Sequence, residues 1–183
     1  QHRNAGHDDG TVVEPGGDWR EVVLFGTGET TMDVCPETKS LIQKYIPDAV
    51  DLAHAGTGEV IFSVLAPRTR IRAHCASTNV RLTAHLALVV PTRACAIQIE
   101  GKWHAWQRGK VLLFDDSFEH AVYNDSDQYR AVLLIRTWHD GIPKPERQLV
   151  LQEIQDWCQA EEARRYVPPL PPELETVEDI CFG

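Results

Sequence analysis

The sequence predicts a mainly β domain, a sandwich or barrel, with a helix on either side of it. Three observations carry this. Short runs of β-branched and aromatic residues recur between turn signals from Glu59 to Thr137. Several of these runs alternate with period two, the mark of a strand whose two faces differ. Before and after them, apolar residues recur at helical spacing instead. At 183 residues the chain is long enough to build one core without disulfide or metal staples.

Taken in order, residues 1–17 are polar, aperiodic and rich in Gly and His, which predicts a flexible N-terminal arm. His2 and His7 within it make a poor catalytic pair. The folded domain is expected over 18–140. Glu21-Val22-Val23-Leu24-Phe25 reads as a strand closed by Gly26-Thr27-Gly28. Cys35-Pro36-Glu37-Thr38 opens a helix with Pro in its first turn. Its expected apolar face is Leu41, Ile42, Tyr45 and Ile46, and Pro47 is expected to stop it. Glu59 to Leu65 is a β-branched run broken by Pro67, and Arg68 to Arg72 alternates like a strand. Arg81 to Val90 alternates cleanly, with Leu82, Ala84, Leu86 and Leu88 on one face and Arg81, Thr83, His85 and Ala87 on the other. Such a strand is either half exposed or lines a polar cavity. Ala94 to Glu100 and Trp103 to Trp106 flank Gly101-Lys102, a hairpin signal. Val111 to Phe114 follows Gly109, and Arg130 to Thr137 alternates again, with Arg130, Val132 and Leu134 facing one way. From about Pro145 to Arg165 the pattern turns helical, and Val167 to Pro172 is Pro-rich and extended. Residues 141–183 are expected to pack on the same domain, the helix covering a sheet or forming a homodimer contact.

Composition excludes some functions. The formal charge of −9, without a dense basic block, argues against nucleic acid. No run of about 18 apolar residues exists to span a membrane. Gln1 to Gly17 lacks the apolar centre of a signal peptide. Five cysteines (Cys35, Cys75, Cys95, Cys158, Cys181) form no CxxC pair, which fits free thiols and a cytoplasmic location.

The stretch His74-Cys75-Ala76-Ser77-Thr78-Asn79-Val80-Arg81-Leu82-Thr83-Ala84-His85 carries the chemistry, answered by Phe114-Asp115-Asp116-Ser117-Phe118-Glu119-His120 and Arg130. Converging histidines with an arginine on a following strand suggest an open metal site with an anionic co-ligand. The common non-haem iron arrangement adds a carboxylate two residues after the first His. Here that position is Ala76, which cannot bind metal. Two neutral imidazoles suffice if a dianionic 2-oxo acid chelates the ion. Asp115 and Asp116 read as a turn that caps backbone and orients His120. Trp103, His104 and Trp106 either line a substrate mouth or pack a hairpin on the barrel.

These residues resemble the aspartyl/asparaginyl β-hydroxylase family of Fe(II)/2-oxoglutarate oxygenases, from about Trp19 to His139. The likeness runs through Cys35-Pro36-Glu37-Thr38, Phe62-Ser63, Pro67, Thr69, His74, Thr78-Asn79, Arg81-Leu82, His85-Leu86, Trp106, Gly109-Lys110, Phe114 to Ser117, His120, Arg130 and Trp138-His139. The resemblance implies a double-stranded β-helix, a jelly-roll barrel. It implies His74 and His120 as the iron ligands, with Ala76 where the family has Gly. Ser63 and Arg130 are then expected to bind the distal carboxylate of 2-oxoglutarate, and His85 the carboxylate nearer the metal. Where the family has a second arginine for that near carboxylate, this chain has Thr83; Arg81, on the same face, is the expected substitute. The implied reaction consumes 2-oxoglutarate and dioxygen, releases succinate and carbon dioxide, and hydroxylates an unactivated C–H.

The substrate expected is a small molecule, as in natural-product tailoring, ahead of an Asp or Asn side chain in a peptide or protein. Three alternatives stand beside hydroxylation. One is a non-oxidative isomerase or cyclase that has lost co-substrate affinity at Thr83. Another is a halogenase, and the last is a binding module with remnant histidines.

Overall fold

The computed structural model describes residues 3–4, 12–29 and 34–165. Among these, ten strands form two antiparallel sheets. The first has six strands, β1 (Arg3–Asn4), β2 (Trp19–Phe25), β3 (Val60–Leu65), β10 (Arg130–Trp138), β5 (Arg81–Val89) and β8 (Val111–Phe114), in that spatial order. The second has β4 (Thr69–His74), β9 (His120–Asn124), β6 (Cys95–Ile99) and β7 (Lys102–His104). From β3 onward every connection except the β6–β7 hairpin crosses from one sheet to the other. That alternation makes the fold a double-stranded β-helix, the jelly roll expected.

Two apolar clusters hold it. Between the sheets lie Val23, Ile61, Leu65, Ile71, Ala87, Ile97, Trp106, Phe114, Val122, Val132 and Leu134, drawn from both. The other cluster covers the outer face of the larger sheet: Leu24, Phe25, Val60, Leu133 and Ile135 meet Ile42 of α1 (Pro36–Tyr45) and Ala49, Val50 and Ala53 of α2 (Pro47–His54). Central β10 is therefore buried on both faces over Val132 to Ile135.

This layering decides a choice the alternation of β5 left open. Its polar row, Arg81, Thr83, His85 and Ala87, is the buried one and faces the interior. The apolar row is half-buried, and Ala84, Leu86 and Leu88 pack against the helix-covered cluster. The helical region also differs from expectation. Pro47 does not only end α1; it opens α2, because the first turn of a helix needs no amide hydrogen from it. Of the expected apolar face of α1, Ile42 is buried, whereas Leu41 and Tyr45 are exposed. The hairpin turn falls one residue earlier than its signal: Ile99 pairs with Lys102, leaving Glu100 and Gly101 at φ 48° and 75°. Both signs are positive, as a two-residue type I′ turn requires.

Of the arm at 1–17, residues Val12 to Gly17 are tied to β4: Arg72 N donates to Val12 O, Glu14 N to Arg70 O, and Val13 bridges Ile71. His2, His7, the Pro-rich segment 167–172 and Cys181 lie outside the described residues, as does the side chain of Cys158. The chain divides into two compact units, 1–143 and 144–183. In the second, a 3-10 turn at Lys144–Glu146 leads into α3 (Arg147–Arg165). No described helix is long and apolar enough to cross a membrane.

Phe25, 1% exposed, joins the larger sheet to the helices that cover it. Phe25→Ala is expected to cost about 3–5 kcal/mol, measured as a fall in the urea midpoint at unchanged slope.

Candidate active site

Strand pairing alone brings the two expected metal ligands together. His74 ends β4, His120 begins β9, and the two stand opposite each other in the antiparallel register. Their ring centroids are 4.2 Å apart. Each ring is oriented by its own backbone: His74 Nδ1 lies 2.8 Å from Arg72 O and His120 Nδ1 lies 2.9 Å from Phe118 O. A carbonyl oxygen only accepts, so Nδ1 carries the hydrogen in both rings and the lone pair sits on Nε2. That is the tautomer a metal ligand needs, with the outer hydrogen bond fixing the ring. Burial holds the His120 pKa below the usual histidine value, opposed by the Phe118 carbonyl and by Asp116.

Among the described residues, no group of three or more His, Cys, Asp or Glu side chains converges on a metal position. Ala76 is held close by, its N–H donating to Asp116 O at 2.7 Å. This bond ties the loop after His74 to the turn before His120.

The inward rows of β3, β5 and β10 supply the rest. Arg130 is 1% exposed, with its guanidinium 4.9 Å above the Trp106 ring. Its Nη1 donates to Ser63 Oγ at 3.3 Å, and its Nε has no hydrogen-bond partner. Among the described residues no carboxylate pairs with it, and burial pulls its pKa down to about 10. Ser63 Oγ also accepts from Trp19 Nε1 at 2.9 Å. His85, 5% exposed, accepts from Trp106 Nε1 on its Nδ1 at 3.3 Å, which puts its own hydrogen on Nε2. Burial drives the His85 pKa well below 6.5, helped by the charges of Arg130, His120 and Arg136. Phe114 packs edge-on against both His85 and His120, at 5.1 and 5.6 Å.

Arg81 faces inward as expected but is occupied: Nη1 donates to Thr57 O at 2.6 Å and Nη2 lies 3.6 Å from Asp116 Oδ2. Asp115 behaves as the turn residue expected, its Oδ1 accepting from Ser117 N at 2.9 Å. Asp116 does not. Its side chain is 3% exposed and turned inward, where Oδ2 accepts from Thr83 Oγ1 at 2.9 Å and lies 3.4 Å from Arg136 Nε. Arg136, absent from the expected site, was signalled by period two: it is the next inward position after Arg130, Val132 and Leu134. Trp103 and His104 are exposed, and Trp103 packs on Tyr123 at 4.9 Å, so that part of the hairpin lies away from these residues. Only Trp106 of that group joins them. Cys35 and Cys75 are exposed and Cys95 is half-buried, all as free thiols.

A jelly-roll barrel thus carries a histidine pair on its smaller sheet and, in its interior, an arginine with no carboxylate partner among the described residues. The chain belongs to the aspartyl/asparaginyl β-hydroxylase family, whose model matches residues 1–140. The mouse aspartyl/asparaginyl β-hydroxylase is 33% identical over 134 residues, 72% of this chain and 18% of that one. An ornithine lipid ester-linked acyl 2-hydroxylase from Rhizobium tropici is 34% identical over 122 residues, 64% of this chain and 40% of that one. The chain thus spans under a fifth of the mouse relative's length. A solved structure described as a predicted oxalate decarboxylase from Thermotoga maritima aligns with a TM-score of 0.44 at 12% identity, over 68% of this chain and 85% of its own.

Because the His85 pKa is lower folded than unfolded, the unfolded chain binds the extra proton. Its contribution to stability is complete above about pH 6.5 and is lost as pH falls from there through the folded value. His85→Gln is expected to flatten the loss of stability as pH falls below about 6.5, read from urea midpoints; an unchanged slope would refute a neutral buried His85.

Proposed function

We propose that this chain is the catalytic domain of an Fe(II)- and 2-oxoglutarate-dependent hydroxylase. The observation that supports this best is Arg130, a guanidinium buried inside the barrel with no carboxylate partner among the described residues. A buried charge left uncompensated is costly, and a carboxylate meeting the planar fork in two hydrogen bonds removes that cost. The histidine pair fits a divalent ion, since backbone carbonyls hold both rings with Nε2 as the donor atom. When bound, iron supplies the activation of dioxygen that is coupled to decarboxylation of the 2-oxo acid.

Each of the chain's own groups has a part. Ser63 Oγ already accepts from Trp19 Nε1 and Arg130 Nη1, so its hydrogen is available to the same distal carboxylate as Arg130. His85, neutral and with its hydrogen on Nε2, donates to the carboxylate nearer the metal. Trp106 packs against His85 and Arg130, and Phe114 against His85 and His120, so apolar ring faces surround these groups.

The relatives' names narrow the substrate. A β-hydroxylated aspartyl or asparaginyl residue is oxidised next to its side-chain carbonyl carbon, and an acyl 2-hydroxylase acts next to an ester carbonyl. The shared chemistry is a C–H adjacent to a carbonyl carbon. We take that class in place of an unrestricted natural product, with an aspartyl or asparaginyl side chain as the first candidate.

Anaerobic Fe(II) protein titrated with 2-oxoglutarate is expected to develop the visible charge-transfer band of a chelated 2-oxo acid. His74→Ala should abolish the band, and Arg130→Ala should weaken binding roughly 10- to 100-fold. A wild-type protein that binds iron and shows no band would sink the reading.

A further inference from the structure

The inward-facing arginines are not equivalent. Arg130 sits at the end of the barrel marked by Ser63 and Trp106. Arg81 is committed to the Thr57 carbonyl. Arg136 stands directly opposite Thr83 in the β5–β10 register, so the two side chains leave the sheet on the same face. Thr83 is short and spends its hydroxyl hydrogen on Asp116 Oδ2. Arg136 reaches the same oxygen with Nε at 3.4 Å, and that Nε is buried without a hydrogen-bond partner. Its Nη1 donates to Glu59 Oε1 at 2.8 Å, which helps to fix the guanidinium.

We propose that Arg136 is the second anchor of the co-substrate, holding the carboxylate nearer the metal with the cation that position 83 lacks. This rests on the reading of the interior as a 2-oxoglutarate site. Three further facts agree with the placement. Arg136 Nε lies 3.4 Å from Asp116, whose backbone carbonyl accepts from Ala76 N two residues after His74, which sets Arg136 toward the histidine pair. Asp116 Oδ1 is also buried without a partner, so Arg136, Arg81 and Asp116 together present polar atoms left for a bound group and its waters to satisfy. Finally, an arginine on β10 and one on β5 at paired positions project over the same patch of the barrel, so relocation across the strand pair conserves the charge there.

The test separates the two ends of the ligand. Mn(II)-loaded protein is titrated calorimetrically with 2-oxoglutarate and with 2-oxobutyrate, which keeps the near carboxylate and ketone but lacks the distal carboxylate. Arg130→Met should weaken 2-oxoglutarate and leave 2-oxobutyrate unchanged. Arg136→Met should weaken both ligands by the same factor, roughly 10- to 100-fold. The exchange Thr83→Arg/Arg136→Thr should restore binding of both toward wild type, and it carries the test if Arg136→Met does not fold. Wild-type affinity in Arg136→Met, loss of 2-oxoglutarate only, or a folded exchange variant that binds neither ligand would each overturn the assignment. If wild type itself binds neither ligand, the 2-oxoglutarate reading fails and the inference falls with it. If wild type and Arg130→Met behave as described, failure at Arg136 is failure of this inference alone.

Discussion

A guanidinium enclosed by protein, with no counter-ion among the described residues, is the constraint around which this barrel is arranged. Arg130 is 1% exposed, and burial pulls its pKa down to about 10, which disfavours its charged form. The surroundings limit that cost without cancelling it. The Trp106 ring faces the cation, Ser63 accepts one hydrogen bond, and central β10 is fixed by apolar packing on both faces. A strand buried on both sides cannot turn Arg130 out to water without giving up Val132 to Ile135 as well. The core therefore holds in place a charge that burial disfavours, and under the proposed function a bound carboxylate relieves it.

The same economy governs the histidine pair. Nothing needs to move for His74 and His120 to meet, because antiparallel register places them opposite one another across β4 and β9. Backbone carbonyls two residues upstream of each ring choose the tautomer. The loop after His74 is pinned to the turn before His120 by one backbone hydrogen bond from Ala76 to Asp116. A substitution at position 76 or 116 thus acts on the pair through the connection between two loops. Around Asp116, Thr83, Arg81, Arg136 and Glu59 form one connected polar cluster. Arg130 stands outside that cluster.

Particular elements show how far the sequence could be read. Alternation located β3, β5 and β10, and the family resemblance named His74, His85, His120 and Arg130, of which the register sets His74 opposite His120. Asp116 departs from the turn role its sequence suggests, although Asp115 and Asp116 look identical in sequence. Neighbouring residues at a turn point in different directions, so one caps Ser117 and the other enters the interior. Arg136 was missed although the period of β10 leads straight to it, since a charged residue near a strand end ordinarily marks solvent. The α1 face was read too wide, because helical period gives which residues share a side and not how much of that side is covered.

By itself, the sequence determined the local chemistry: which segments are strands, which histidine and arginine side chains the chain has to offer, and the family likeness that orders them. Those are properties of short windows and of spacing. Only the tertiary structure decided which face of β5 is inside, which of two adjacent aspartates is buried, and that Arg136 lies across from Thr83. A one-residue difference in register or an additional covering helix reverses each of those outcomes. They depend on what lies on the far side of the sheet, and that partner is many residues away along the chain.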